Sequence, residues 1–122
     1  VEAGLTFAAQ QQLQVTIAVV DDSGTPILVL RMDEASPASF NVAIEKARSA
    51  ALTGIDTKIL EAMTRERPAL VTMPGRVAIE GGLAILHRGQ RVGGIGVSGA
   101  RSDQDAEVAT AARNMLCGTN AS

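Results

Sequence analysis

Between Gly81 and Asp105 the chain reads GGLAILHRGQRVGGIGVSGARSDQD, and this stretch restricts the fold more than any other. Two apolar runs, Leu83–His87 and Arg91–Val97, are separated by Arg88-Gly89-Gln90, which is the spacing of a β-hairpin. Gly93, Gly94 and Gly96 interrupt the second run. A strand gains nothing from glycine side chains, so three of them mark a place where another backbone approaches closely. Ser102, with Asp105 three residues on, has the pattern of a helix-starting capping box. The stretch therefore predicts a strand, a tight turn, a glycine-rich strand and the start of a helix. It also holds His87, the single histidine of the chain.

Gly94-Ile95-Gly96-Val97-Ser98-Gly99 matches G-x-G-x-x-G and sits between a strand and a helix, the local setting of a dinucleotide-binding turn. The wider setting fails, because that fold needs a second parallel strand with an acidic residue about 20 positions on. Here one helix follows and the sequence ends. Close packing of a helix or a neighbouring subunit on the glycines is the better reading. Ser98-Gly99-Ala100 still leads into a helix N-terminus, where free N–H groups favour an anion such as a carboxylate or propionate.

The preceding segments supply a second hairpin and the helices to cover both. Ala3–Leu13 has helical spacing. Val15–Val20 (VTIAVV) is almost continuously apolar and β-branched, as a strand covered on both faces would be. Asp21–Gly24 is a turn and Pro26–Met32 a returning strand. Ser36-Pro37 reads as N-cap and first helical position. Phe40, Ala43, Ile44, Ala47, Ala50 and Ala51 then make one apolar stripe, closed by Gly54. Asp56 caps a shorter helix to about Arg65, which Pro68 stops. Ala69–Pro74 is short and extended, and Pro74-Gly75 is a turn. Val108, Ala109, Ala112, Met115 and Leu116 form the apolar face of a last helix, ended by Gly118 before a frayed tail, Thr119–Ser122. The expectation is a single domain over residues 1–122, of the α+β class: an antiparallel sheet of about five strands flanked by helices on both faces.

Charge and composition remove several function classes. Eleven basic residues, nine Arg and two Lys, are scattered against thirteen acidic ones, which argues against a nucleic-acid partner. Aromatic residues are 2% of the chain, two Phe with no Tyr or Trp, so stacking platforms are lacking. No apolar run reaches the roughly 18 residues that span a bilayer. The lone cysteine, Cys117, cannot pair within the chain, which favours a cytoplasmic location and a structural role. The sequence begins at Val1, so secretion after removal of a signal peptide stays open.

Taken in order, five pieces resemble the GlcG/HbpS family of haem-degrading-domain proteins. They are IAVVDDSGTPILVLRMD (Ile17–Asp33), the SPAS and EKARSAAL segments of Ser36–Leu52, MPG (Met73–Gly75), EGGLAI (Glu80–Ile85) and VGGIGVSGARSDQDAEVA (Val92–Ala109). The resemblance is collinear over about nine-tenths of the chain. It implies a sheet between helices and assembly into homo-oligomers, tetramers or octamers. It also implies a small-molecule ligand, with haem as the candidate cofactor: some members bind haem, one group is a secreted haem sensor, and a related domain accompanies cobalamin adenosyltransferases. Others lie in glycolate-utilisation operons. Relatives usually read GGLPI, so Ala84 stands where they carry proline.

These readings place a candidate ligand site at Gly81, Gly82, Leu83, His87, Ser98 and Gly99, within one chain or shared between subunits. His87 is the candidate iron ligand if haem binds, against the simpler reading of a solvated strand-end imidazole. Glu80, unshielded beside two glycines, is the candidate catalytic residue of an alternative reading: an enzyme acting on a small organic acid, with Glu80 as acid/base and the Ser98-Gly99 amides holding the anion. A non-catalytic accessory subunit is the third. Met32, Met63, Met73 and Met115 are expected to pack, and Lys46 and Arg48 to be solvated.

Overall fold

The computed structural model describes residues 1–117, apart from the side chains of Leu116 and Cys117. The readings of Gly118, the Thr119–Ser122 tail and the Cys117 thiol therefore lie outside the described residues. The elements run α1 (Glu2–Gln10), β1 (Thr16–Asp21), β2 (Pro26–Arg31), α2 (Ala38–Thr53), α3 (Thr57–Glu66), a 3₁₀ turn (Pro68–Thr72), β3 (Gly82–His87), β4 (Gln90–Ser98) and α4 (Ser102–Cys117). The sheet has four strands in the order β2-β1-β4-β3, and every neighbouring pair is antiparallel.

The expected α+β layering is present, but the sheet is one strand short of expectation. Most of Ala69–Pro74, expected to be extended, winds into the 3₁₀ turn Pro68–Thr72 instead. Pro68 supplies the fixed φ that starts such a turn, and Leu70 N–H and Met73 N–H donate to the Arg67 and Leu70 carbonyls.

The sheet has two unlike faces. Val15, Ile17, Leu83, Ile85, Ile95 and Val97 point one way, into a core with Ala8 of α1 and Val108, Ala109 and Ala112 of α4. Full burial of each branched aliphatic side chain here contributes about 1.5–3 kcal/mol. Ala18 and Val20 point the other way, against Ala43, Ala47 and Ala51 of α2. On this second face the sheet side is largely glycine. A Cβ at Gly94 or Gly96 would overlap the carbonyl oxygens of Ala47 or Ala43, and one at Gly82 would overlap that of Lys46. The glycine-rich run is thus the bed on which α2 lies, and the close-packing reading of G-x-G-x-x-G is the one observed.

Helix ends match the sequence reading in place more than in chemistry. Gly54 closes α2 in the left-handed conformation, φ 73°, with its N–H on the Ala50 carbonyl. No side chain caps the start of α2; Ser39 Oγ instead donates back to the Ser36 carbonyl at 2.6 Å. The capping box at α4 is shifted by one residue. Gln104 Oε1 accepts from Arg101 N–H (3.1 Å), and Asp105 Oδ1 accepts from Ala100 N–H (2.9 Å). Met115, expected on the apolar face of α4, is 73% exposed.

Candidate functional site

The residues singled out from the sequence fall at two ends of one hairpin. Gly82 pairs with Gly96 at one end of β3–β4, and His87 pairs with Gln90 at the other. At about 3.3 Å per strand residue the two ends lie about 17 Å apart. Glu80, Gly81, Gly82, Leu83, Ser98 and Gly99 gather at the first end; His87 stands at the second.

The first end is closed. Gly81 has φ 130°, and a Cβ there would meet Lys46 Nζ and the Val97 carbonyl, each at 2.8 Å. Leu83 is in the core. Gly99, φ 133°, lies against the Gln14 carbonyl. Lys46, expected in solvent, is instead among the most buried polar residues. Its stem leaves α2, passes Gly81, and delivers Nζ to the Val97 carbonyl (2.9 Å) and to Asp105 Oδ2 (3.2 Å). Spacing alone hid this, because the course for the side chain is left by Gly81, a glycine distant in sequence. Arg48 is likewise half-buried, with Nη1 donating to the Gly24 carbonyl at 2.9 Å.

Asp105 is the counterpart of Lys46, brought by α4 from the opposite face of the sheet. Burial raises its pKa above the ordinary carboxylate range, against the lowering effects of the Ala100 N–H and of Lys46. The ion pair ties α2 to α4 around the end of the sheet. At the helix start that Ser98-Gly99-Ala100 leads into, the Ala100 and Arg101 amides are engaged by Asp105 and Gln104.

Glu80 lies on the rim of this end. Its backbone N–H donates to Glu61 Oε1 (2.9 Å), and Glu61 Oε2 accepts from Arg65 (2.7 Å), so α3 holds the loop. The Glu80 side chain lines an open groove of about 630 Å³ with Phe7, Asp103, Glu107, Thr110 and Asn114. Three carboxylates border it, a poor setting for an organic acid. Among the described residues no three of His, Cys, Asp or Glu converge on a metal-sized site.

The free edge of β3 is covered in a way the sequence did not disclose. Thr57 Oγ1 accepts from Gly82 N–H (2.8 Å) and donates to its carbonyl (3.3 Å). Asp56, expected to cap α3, makes no such bond; Oδ1 accepts from Ala84 N–H at 2.9 Å. Arg113 Nη1 reaches both the Ala84 carbonyl (3.2 Å) and Asp56 Oδ1 (3.3 Å). These side chains occupy edge groups that would otherwise invite another strand. A proline at position 84 has no N–H and could not make the bond to Asp56.

Beyond Ala84 the hairpin opens. Leu86 and Val92 are exposed apolar residues, beside exposed His87, Arg88 and Arg91. A register shift falls between Ile85 and Leu86, leaving Val92 as the extra residue. Among the described residues the His87 imidazole has no hydrogen-bond partner.

The fold and the order of these segments agree with a family of known proteins. Residues 1–114 match the model of the family described as haem degrading protein HbpS-like. The chain belongs to the HbpS-like family. It is 41% identical to protein GlcG of Escherichia coli strain K12 over 99 residues, 80% of this chain and 74% of GlcG. A crystal structure of a double mutant of Streptomyces reticuli HbpS has 34% identity and a TM-score of 0.90, covering 94% of this chain and 80% of that one. A structure described as a PduOC:heme complex has 27% identity and a TM-score of 0.87, covering 99% and 89%. No helix among the described residues is long and apolar enough to cross a membrane.

Proposed function

We propose that this HbpS-like domain is an oligomeric small-ligand-binding module of the cytoplasm that takes haem at the open end of the β3–β4 hairpin. The similarity of its fold to the chain of the PduOC:heme complex carries the reading. The chemistry of the open end supports it: an uncommitted imidazole on His87, apolar Leu86 and Val92, and the guanidinium group of Arg88, whereas that of Arg91 is held by the Leu52 carbonyl at 2.7 Å. An imidazole serves as an iron ligand, apolar side chains exclude water from a porphyrin face, and arginine pairs with propionates. When bound, haem would supply redox-active iron. His87 would hold that iron, while Arg88 would orient the macrocycle. A face this exposed needs a second copy to cover the ligand.

Exposed apolar side chains also support a homo-oligomer, a tetramer or octamer. Ile27 and Leu28 lie on the outer strand β2 at 68% and 48% exposure, and Ile59 and Met63 lie one turn apart on α3. A haemin titration followed by absorbance, beside size-exclusion chromatography with light scattering, tests both parts. The expected result is a saturable Soret shift on a defined oligomer, lost in His87→Ala with assembly intact. A non-saturating response from the assembled protein would sink the haem reading.

One observation favours a second reading: Glu80 lines the groove beside α4. There it would act as a general base, on a neutral or cationic substrate given the carboxylates of Asp103 and Glu107. Turnover abolished by Glu80→Gln with haemin binding unchanged would select the enzyme. If neither substitution altered binding or turnover, an accessory subunit would be the function that remains.

A further inference from the structure

Away from both ends of the hairpin, a cavity of about 210 Å³ lies between the end of α2, α3 and the 3₁₀ turn. Ile55, Leu60, Met63, Leu70 and Met73 make its wall apolar, and Arg76 is its one charged lining residue among those described. The two threonines on the wall are turned into their own helices: Thr53 Oγ1 donates to the Ser49 carbonyl (2.7 Å) and Thr64 Oγ1 to that of Leu60 (2.9 Å). Arg76 is different. Its guanidinium makes only long contacts to neighbouring carbonyls, Pro74 at 3.4 Å and Gly75 at 3.5 Å. Among the described residues no carboxylate pairs with it.

We propose that this cavity binds a small carboxylic acid with a ring-sized apolar body, its carboxylate on Arg76 and its body among the Met63, Leu60 and Leu70 side chains. Size and charge together select that class. An apolar cavity of about 150 Å³ accommodates benzene, so the space here suits a ring bearing a carboxylate and is far too small for a tetrapyrrole. A guanidinium with unspent donors is matched by a planar carboxylate, which it can hold through two parallel bonds. The methionines at the mouth, partly exposed, have flexible thioether chains that adapt to the ligand outline. Such a site is separate from the haem reading and does not depend on it.

The test is calorimetric titration of the purified, assembled protein with benzoate, and with benzyl alcohol as the uncharged counterpart. Benzoate should bind saturably at one per chain. Benzyl alcohol, and benzoate on Arg76→Gln, should bind weaker by roughly tenfold or more, the loss of a charge-assisted pair. Ala78→Leu, which fills the cavity, should abolish benzoate binding. Arg76→Gln serves where the filled variant does not fold, since Arg76 only borders the space. Haemin titration of Arg76→Gln should match that of the parent protein. Equal benzoate affinity in parent and Arg76→Gln, or no saturable heat at millimolar benzoate, would overturn the site. Simultaneous loss of haemin binding in Arg76→Gln would show one shared site and overturn the separate cavity.

Discussion

At its Gly82–Gly96 end the β3–β4 hairpin has no room for one more carbon atom, while at its His87–Gln90 end it projects charged and apolar side chains into solvent. Both ends come from the same run of sequence. At the closed end glycine lets α2 lie on the sheet backbone, and the space left over is filled by Lys46 and Asp105. At the open end Gly89 has a positive φ of 79° for the turn, and a Cβ there would meet nothing within 4 Å. Glycine thus serves close packing at one end, with positive φ at Gly81 and Gly99 besides, and backbone conformation alone at the other. The lesson is that the glycine-rich motif belongs to the scaffold, and the residues free to engage a ligand are those beyond its reach.

Substitution at equivalent residue types should expose this difference most strongly. Gly96→Val drives a branched side chain into the Ala43 carbonyl and Ala47 N–H. It should cost about 4 kcal/mol or more, a large share of a domain's total stability. Gly89→Ala meets no atom and should cost only about 1 kcal/mol, through backbone strain. Urea unfolding followed by circular dichroism gives both values, and similar losses at the two glycines would break the comparison.

The ion pair at the closed end comes next. Lys46→Met leaves the Asp105 carboxylate buried without its cation, at a cost of about 3–5 kcal/mol near neutral pH. Replacing both residues by apolar ones, Lys46→Met with Asp105→Leu, should recover much of that loss. The loss in Lys46→Met depends on pH with a definite sign. Asp105 already has a raised folded-state pKa, and removing Lys46 removes two of the effects that lower it. Above the unfolded-state value of about 3.9 the native chain therefore binds more protons than the unfolded one, so stability falls as pH rises and levels off past the folded-state pKa. The variant should lie close to the parent near pH 4 and fall furthest behind it at neutral pH. Urea midpoints across that range check this, and a gap that widens toward acid would show that the pair is not what Lys46 supports.

A smaller effect is expected where β3 is bordered by side chains. Asp56→Ala removes the acceptor of Ala84 N–H and the partner of Arg113, both half-exposed, for about 1–2 kcal/mol. Ala84→Pro forfeits the same hydrogen bond but restricts the unfolded chain, so its net effect should be smaller than that of Asp56→Ala. Thermal melting of the two variants ranks them; a more damaging Ala84→Pro would mean that the strand cannot hold proline's φ.

What could be read from sequence follows the range of the forces involved. Hairpins, helix spans and the Gly54 stop are local, set by periodicity and by single residues with unusual backbone freedom, and they stand where expected. Lys46, Asp56 and Asp105 escape such local patterns because their partners lie 51, 28 and 59 positions away. Periodicity places a lysine between stripe residues in solvent. Only the missing side chain of Gly81, distant in sequence, makes a buried course for it, while Gly82 lets the Lys46 backbone come close. The candidate site divides for the same reason: residues adjacent in sequence along one strand are carried to opposite ends of it.

The smallest effect on stability is expected at the residue with the most to say about function. His87 is exposed, and among the described residues its imidazole bonds to nothing. His87→Ala should therefore alter stability by less than about 0.5 kcal/mol, as surface substitutions do. Because the residue is in a strand and not buried, any larger loss must come from contacts made in the assembly. Unfolding measured at two protein concentrations separates these cases. A loss that grows with dilution would place the imidazole in a subunit interface. A loss independent of concentration would give His87 a structural role within the chain and close the open end as a ligand site.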